Sequence, residues 1–134
     1  MDKEGKDDVK KPKILIIDDE KNTRESWRKI LAENGFDVLE ADDGETGLQM
    51  VEQELPDLLL CDILLPHMDG IKVAEKIREN ELFQGLPIIL TSGIFKDLSF
   101  RMNVIKRLAN DFIEKPFSES DLLAKINNIL FPGG

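Results

Sequence analysis

Five polar side chains stand at the ends of apolar runs, and their types suit one kind of chemistry. They are the carboxylates Asp18, Asp19 and Asp62, the hydroxyl of Thr91 and the ammonium of Lys115. Oxygen ligands without a cysteine or histidine cluster favour Mg²⁺ or Mn²⁺ over zinc. A lysine offers a point charge, and a threonine a hydrogen bond, to a phosphoryl oxygen. The set predicts phosphoryl transfer by positioning and charge neutralisation, with a carboxylate as the nucleophile.

The carboxylates would repel one another if the fold brings them together. At about 4 Å and an effective dielectric near 20, each like-charge pair costs on the order of 4 kcal/mol. Either one carboxylate takes a proton or a divalent cation binds. Mg²⁺ commonly bridges a few carboxylates to a phosphate, so the neighbouring lysine and threonine favour the cation.

Asp62 ends an apolar run at 58–61 that has Pro56 before it and Pro66 after it. A short apolar run bounded by turn signals is typical of a strand buried on both faces. A helix is the alternative, but the run is short and the prolines oppose it. Open α/β sheets place their chemistry at the carboxyl ends of strands. We therefore expect Asp62 at the carboxyl end of a central strand.

The rest of the chain alternates between strand and helix patterns. Gly35 is a natural stop for the first helix, and Asp43 and Ser118 can cap the second and the last. The predicted strands are 13–17, 36–41, 58–61, 86–90 and 111–114. The predicted helices are 23–34, a segment from Asp43 to Glu54, a segment around Val73, Ala74 and Ile77, 97–109, and a segment from Ser118 to Leu130.

This alternation predicts a parallel sheet covered by helices on both faces, with right-handed crossovers. Because the carboxyl ends of parallel strands share one edge, the five polar side chains should converge there. A glycine-rich Walker loop is absent from the sequence.

Length and charge limit the classes of function. A chain of 134 residues suits one compact domain. A net charge of −9 makes nucleic acid or an anionic membrane a poor direct partner. We expect a disordered charged tail over 1–12, a folded unit over 13–131 and a short tail over 132–134. The single cysteine, Cys61, excludes an internal disulfide and fits a cytoplasmic location.

Four motifs together resemble the receiver domain of two-component response regulators, the CheY-like family. They are Ile-Ile-Asp-Asp-Glu at 16–20, Asp-Ile-Leu-Leu-Pro-His-Met-Asp-Gly at 62–70, Leu-Thr-Ser-Gly at 90–93 and Glu-Lys-Pro-Phe at 114–117. The resemblance covers 13–131. It implies a five-stranded parallel sheet of order 2-1-3-4-5 flanked by five helices, and a phosphoacceptor switch rather than an enzyme.

The resemblance also implies roles for the site residues. Asp62 would accept a phosphoryl group from a sensor histidine kinase or a phosphotransfer protein. Asp19, Asp62 and the backbone carbonyl of Leu64 would bind Mg²⁺, with Asp18 acting largely through water. Lys115 would contact the phosphoryl group and precede a cis proline. Thr91 would move toward the phosphoryl group, and the fourth helix, fifth strand and fifth helix would form the surface for a downstream protein.

The motifs depart from the family in a few places. Phe112 stands where the family often has a tyrosine that swings inward on activation, so this switch residue has no hydroxyl. Ser92 replaces a usual alanine, and Leu108 a usual glycine. Leu64 and Gly93 offer no polar side chain to orient a hydrolytic water, which predicts a long-lived phosphorylated form.

Two other classes of function remain as alternatives. An interaction module could keep the fold without phosphate, although the complete set of polar residues opposes this. A flavodoxin-like cofactor binder needs a Ser/Thr/Gly-rich loop where this chain has Asp18-Asp19-Glu20, and an aspartate-nucleophile phosphatase needs a second Asp where it has Leu64.

Simpler structural roles are also predicted. Asp18 and Asp19 could cap the first helix, Trp27 should pack, and Phe95 and Phe100 could belong to the core. The charged residues of the third helix, Lys72, Lys76 and Arg78, are interpreted as a solvated face.

Overall fold

The computed structural model describes residues 10–93, 98–99 and 101–133. Residues 1–9 of the predicted tail, Phe95, Phe100 and Gly134 lie outside the described residues. The strands are β1 (Lys13–Ile17), β2 (Asp37–Ala41), β3 (Leu58–Asp62), β4 (Ile88–Ser92) and β5 (Asp111–Glu114). The helices are α1 (Lys21–Glu33), α2 (Gly44–Glu54), α3 (Gly70–Glu79), α4 (Met102–Leu108) and α5 (Glu119–Leu130), with a 3₁₀ turn at Glu81–Phe83.

The strands form one parallel sheet in the order β2-β1-β3-β4-β5, which confirms the expected order. The carboxyl ends of neighbouring strands lie side by side. Ile17 of β1 pairs with Cys61 of β3, and Asp62 of β3 pairs with Thr91 of β4. The strand order changes direction between β1 and β3, and ligands bind open α/β sheets at such a point.

Alternate residues of each central strand enter two separate cores. Leu15, Leu59 and Cys61 face one cluster of buried side chains, whereas Ile14 and Leu60 face the other. The first cluster is covered by α2, α3 and α4, and the second by α1 and α5. Every residue of β3 is buried, as expected of a central parallel strand.

The predicted helix signals are confirmed at three positions. Asp43 accepts the Thr46 N–H and caps α2, and Ser118 accepts the Asp121 N–H and caps α5. Gly35 follows the end of α1 with a φ of 94°, a conformation that glycine adopts without steric cost. The capping role considered for Asp18 and Asp19 is wrong, because the residue at the start of α1 is Glu20.

Two other expectations need correction. The fourth strand is Ile88–Ser92 rather than 86–90, so Thr91 and Ser92 lie within it. Arg78 is not part of a solvated helix face. Its guanidinium donates to the carbonyls of Leu86 at 2.8 Å and Leu108 at 2.9 Å, and it also contacts Phe83, Gln84 and Asn110.

Arg78 therefore joins the end of α3 to the start of β4 and the end of α4. Among the described residues, no helix combines the length and apolar character needed to cross a membrane.

Candidate functional site

The carboxyl ends of β1 and β3 bring the three predicted carboxylates together. Asp18 and Asp19 directly follow β1, and Asp62 is the last residue of β3. One oxygen from each of the three carboxylates lies within 4.8 Å of the others. Asp18 and Asp62 are buried, whereas Asp19 is exposed. Two carboxylates of the cluster are thus buried, and the third, Asp19, opens the cluster to solvent.

Lys115 reaches this cluster from the end of β5. Its Nζ lies 2.8 Å from Asp18 Oδ2 and 3.3 Å from Asp62 Oδ2. The ammonium thus contacts two of the three carboxylates, and with all three ionised the cluster would keep two negative charges in excess of Lys115. The bond between Lys115 and Pro116 is cis, as the family resemblance implies.

Burial is the main reason why the pKa of Asp62 is raised above the usual value for an aspartate. The charge of Asp18 raises it further, whereas Lys115 and the N–H of Leu64 oppose the shift. For Lys115, burial alone would lower the pKa. The hydrogen bond to Asp18 and the charges of Asp62 and Asp18 outweigh it, so the pKa of Lys115 is raised.

The side chain of Asp18 is fixed on both of its oxygens. Oδ1 accepts the N–H of Glu20 at 2.9 Å, and Oδ2 accepts the Lys115 ammonium. The Asp18 N–H donates to the Ala41 carbonyl on β2 at 3.1 Å. Asp18 is therefore held by β2, by the residue that precedes α1 and by Lys115.

The loop after Asp62 folds back against the strand. The Leu64 N–H donates to Asp62 Oδ1 at 3.2 Å, and the Gly70 N–H donates to the Ile63 carbonyl at 2.8 Å. The Leu64 side chain is exposed. A Cβ on Gly70 would lie 2.3 Å from the Asp62 carbonyl oxygen, so the loop closes only with glycine there. The Asp-Gly pair in the sequence signals a turn, but the contact with Asp62 depends on the fold.

The two residues assigned to the switch lie on adjacent strands. Thr91 is buried and pairs with Asp62 across β3 and β4. Phe112 is half-buried on β5, pairs with Leu90 and packs against the core under α2, α3 and α4. Both therefore lie in the sheet that carries Asp62.

Trp27 packs as predicted, and it does so beside the site. Its ring stacks on Phe117 with centroids 4.3 Å apart and an angle of 12° between the planes. Because Phe117 is two residues after Lys115, the pair joins α1 to the loop that carries the lysine.

The donor set fits a hard divalent cation. Among the described residues it consists of carboxylate oxygens from Asp18, Asp19 and Asp62, with no nitrogen or sulfur ligand. Hard cations prefer oxygen ligands, and two uncompensated negative charges match a charge of +2.

Comparisons with known proteins agree with the geometry. The family described as the response regulator receiver domain matches residues 14–127 of this chain. The alkaline phosphatase synthesis transcriptional regulatory protein PhoP of Bacillus subtilis (strain 168) is 36% identical over 119 residues, which cover 88% of this chain and 48% of PhoP. The response regulator MprA of Mycobacterium leprae (strain TN) is 36% identical over 118 residues, which cover 88% of this chain and 50% of MprA.

A solved structure is similar as well. The signal receiver domain of a signal transduction histidine kinase from Syntrophus aciditrophicus has a TM-score of 0.81 at 26% identity, with 89% of each chain covered. The chain spans about half the length of the curated relatives it matches. A phosphorylation-driven switch in two-component signalling is the general function of the matching family. The fold, the motifs and the family match over residues 14–127 agree, and this chain belongs to the response regulator receiver domain family.

Proposed function

We propose that this chain accepts a phosphoryl group on Asp62 and responds to it as a conformational switch. The observation that carries the proposal is the position of Lys115 Nζ, within 3.3 Å of both Asp18 and Asp62. An ammonium at this place can hold the charge of a phosphoryl group on Asp62. Asp62 also has a central position, because its strand β3 lies between β1, which precedes Asp18, and β4, which contains Thr91.

The proposed donor is a phosphohistidine on a sensor histidine kinase or a phosphotransfer protein. An oxygen of ionised Asp62 attacks phosphorus, and the O–P bond forms as the N–P bond breaks. The departing imidazole keeps the bonding electron pair and takes up a proton. Phosphoryl transfer depends mainly on positioning and on neutralising charge, and Lys115 supplies both at this site. The chain is then a phosphoacceptor that assists its own phosphorylation and dephosphorylation.

Mg²⁺, or Mn²⁺ in its place, is the proposed cofactor. Asp19, Asp62 and the backbone carbonyl of Leu64 would hold the ion, with Asp18 acting through water. When bound, such an ion neutralises carboxylate charge and polarises a phosphoryl oxygen. The exposed Asp19 leaves the cluster accessible from solvent.

The proposed switch runs through Thr91 and Phe112. Thr91 would turn its hydroxyl toward a phosphoryl group on the paired Asp62, and Phe112 would repack in response. Because Phe112 has no hydroxyl, its two positions would differ in apolar packing alone. A downstream protein would bind the face formed by α4, β5 and α5.

Further proposals concern the whole protein. PhoP is named a transcriptional regulatory protein, and a regulator of that kind would place DNA binding outside the receiver unit. We propose no direct contact of the unit at 13–131 with nucleic acid or membrane, which agrees with the net charge of −9. The proposed location is the cytoplasm, where a kinase would deliver phosphate.

A thermal-shift experiment tests the proposed function. Beryllofluoride with Mg²⁺ imitates an attached phosphoryl group, and a ligand at 100 times its Kd stabilises a protein by about 2.7 kcal/mol. We expect the Tm of the wild type to rise by about 5 °C or more, and the Tm of Asp62→Asn to stay unchanged.

Asp37→Asn is the matched control, because Asp37 is an exposed carboxylate at the opposite end of the sheet. Its Tm should rise as in the wild type. Equal shifts in the wild type and in Asp62→Asn would refute the assignment of Asp62.

A further inference from the structure

Asp18 is also held on its main-chain side, by a residue that belongs to none of the four motifs. Arg24 on α1 donates from Nη1 to the main-chain carbonyl of Asp18 at 2.8 Å. The same guanidinium donates from Nε to Glu40 Oε1 at 3.0 Å. The Arg24 side chain is only 14% exposed, so both contacts are shielded from solvent.

The other end of this connection is anchored in the sheet. Glu40 lies on β2 opposite Ile16 of β1. Its second oxygen accepts Arg28 Nε at 2.7 Å. The Arg28 side chain is 47% exposed, and its guanidinium pairs with Glu40. Arg24 and Arg28 therefore both bind the Glu40 carboxylate. Arg24 also binds the main-chain carbonyl of Asp18, and so links β2 to the turn at Asp18 and Asp19.

We infer that Arg24 is a positioning residue that sets the geometry of the Asp18–Asp19 turn for cation binding. The inference rests on the proposed function. The carbonyl that Arg24 holds belongs to the peptide unit that joins Asp18 to Asp19. A peptide unit is planar, so fixing its oxygen also fixes the N–H of Asp19 and the direction in which the chain continues. Arg24 thereby orients Asp19, whose exposed carboxylate has none of the buried contacts that hold Asp18 among the described residues.

The sign of the effect separates positioning from simple electrostatics. Arg24 carries a positive charge close to a site for a cation, and removal of a repelling charge should by itself tighten Mg²⁺ binding. Loss of positioning should weaken it. Groups that orient metal ligands from outside the coordination sphere typically change affinity by about 10-fold or more. The two effects therefore predict opposite changes in Kd for the same variant.

The test compares Arg24→Gln with Arg28→Gln by calorimetric titration of the whole chain with MgCl₂. Both variants remove one positive charge and one contact with Glu40, but only the first removes the bond to the Asp18 carbonyl. We expect the Kd for Mg²⁺ to rise about 10-fold in Arg24→Gln. In Arg28→Gln it should stay equal to the wild-type value or fall.

An amide NMR spectrum without metal provides an independent measurement. The N–H resonance of Asp19 should move in Arg24→Gln and stay in place in Arg28→Gln. If Arg24→Gln does not fold, Arg24→Lys is the variant that tests the inference. Lysine keeps the positive charge, but its single ammonium replaces a guanidinium that binds both Glu40 and the Asp18 carbonyl. A several-fold weaker Mg²⁺ affinity in Arg24→Lys supports the inference, and a wild-type affinity overturns it.

The possible failures are distinguishable. If the wild type binds Mg²⁺ and Arg24→Gln binds it equally well or better, the inference alone is overturned. If the wild type shows no Mg²⁺ binding, the proposed function is overturned and the inference with it.

Discussion

Lys115 donates a hydrogen bond to Asp18 at 2.8 Å although the two residues are 97 positions apart in the sequence. The two side chains extend from β5 and β1, which are not neighbours in the sheet, and they meet beside Asp62 at the end of β3. The contact therefore forms only when the carboxyl ends of β1, β3 and β5 lie at the same edge of the sheet. The Lys115 ammonium therefore lies where a bound metal ion would compete with it for the carboxylate oxygens of Asp18 and Asp62.

Lys115→Met should tighten Mg²⁺ binding. The ammonium pairs with carboxylate oxygens of Asp18 and Asp62. Without it, these oxygens no longer have a competing cation and should bind the metal ion more tightly. Without metal the same change should destabilise the fold by about 3 kcal/mol, because it leaves buried carboxylates unpaired. Calorimetry measures the affinity, and urea unfolding in EDTA measures the stability.

Lys125→Met is the control for Lys115→Met. Lys125 pairs with Asp111 at 3.2 Å on a more exposed surface, and such a pair contributes about 1 kcal/mol or less. Its Mg²⁺ affinity should be unchanged. A weaker Mg²⁺ affinity in Lys115→Met would contradict the competition between lysine and metal.

Asp62→Asn should stabilise the metal-free protein at neutral pH. The pKa of Asp62 is raised in the folded state, chiefly by burial. The protonated carboxyl therefore favours folding, fully below the usual pKa of 3.8, and this contribution is lost as the pH rises through the folded-state pKa. At pH 7 the ionised group opposes folding, so its removal should raise the free energy of unfolding.

The gain in Asp62→Asn should shrink as the pH falls toward 4, because the wild-type carboxyl then takes up its proton. Urea unfolding of both proteins in EDTA at several pH values checks this. A variant that is less stable than the wild type at pH 7 would show that Lys115 outweighs the burial of Asp62.

Gly70→Ala should distort the site from outside the acidic cluster. The added Cβ would stand 2.3 Å from the Asp62 carbonyl oxygen, so the loop or the end of β3 must move. Overpacking of this kind costs about 1–3 kcal/mol, occasionally more. Gly85→Ala is the matched control, because the new Cβ would meet nothing within 4 Å. Equal stability of the two variants in urea would disprove the close approach.

Leu64→Asn should shorten the lifetime of the phosphorylated protein. Leu64 is 55% exposed two residues after Asp62, and an amide there can orient an attacking water where leucine cannot. We expect phosphate release to become several-fold faster in Leu64→Asn and to stay unchanged in Leu64→Met. A wild type that loses its phosphoryl group as fast as Leu64→Asn would overturn this prediction.

The sequence was enough to predict which residues meet, because strand ends in a parallel sheet share an edge whatever the details of packing. Asp18, Asp62 and Lys115 illustrate this, since each follows or ends an apolar run. The order of the strands came from the resemblance of the motifs to a family, not from periodicity.

What could not be predicted depends on contacts between distant elements. Arg78 looks like one more charged residue of an exposed helix end, but β4 and α4 bring carbonyl groups to its guanidinium. Arg24 likewise sits in an ordinary helical pattern, and its two partners come from a loop and from β2. No local signal marks such residues, because their partners are assembled only by the complete fold.

Mass spectrometry after treatment with acetyl phosphate and Mg²⁺ can identify the residue that accepts the phosphoryl group. We expect one added phosphoryl group per chain, located on the peptide that contains Asp62 and absent when EDTA replaces Mg²⁺. Modification at another residue, or an equal yield in Asp62→Asn, would contradict this expectation.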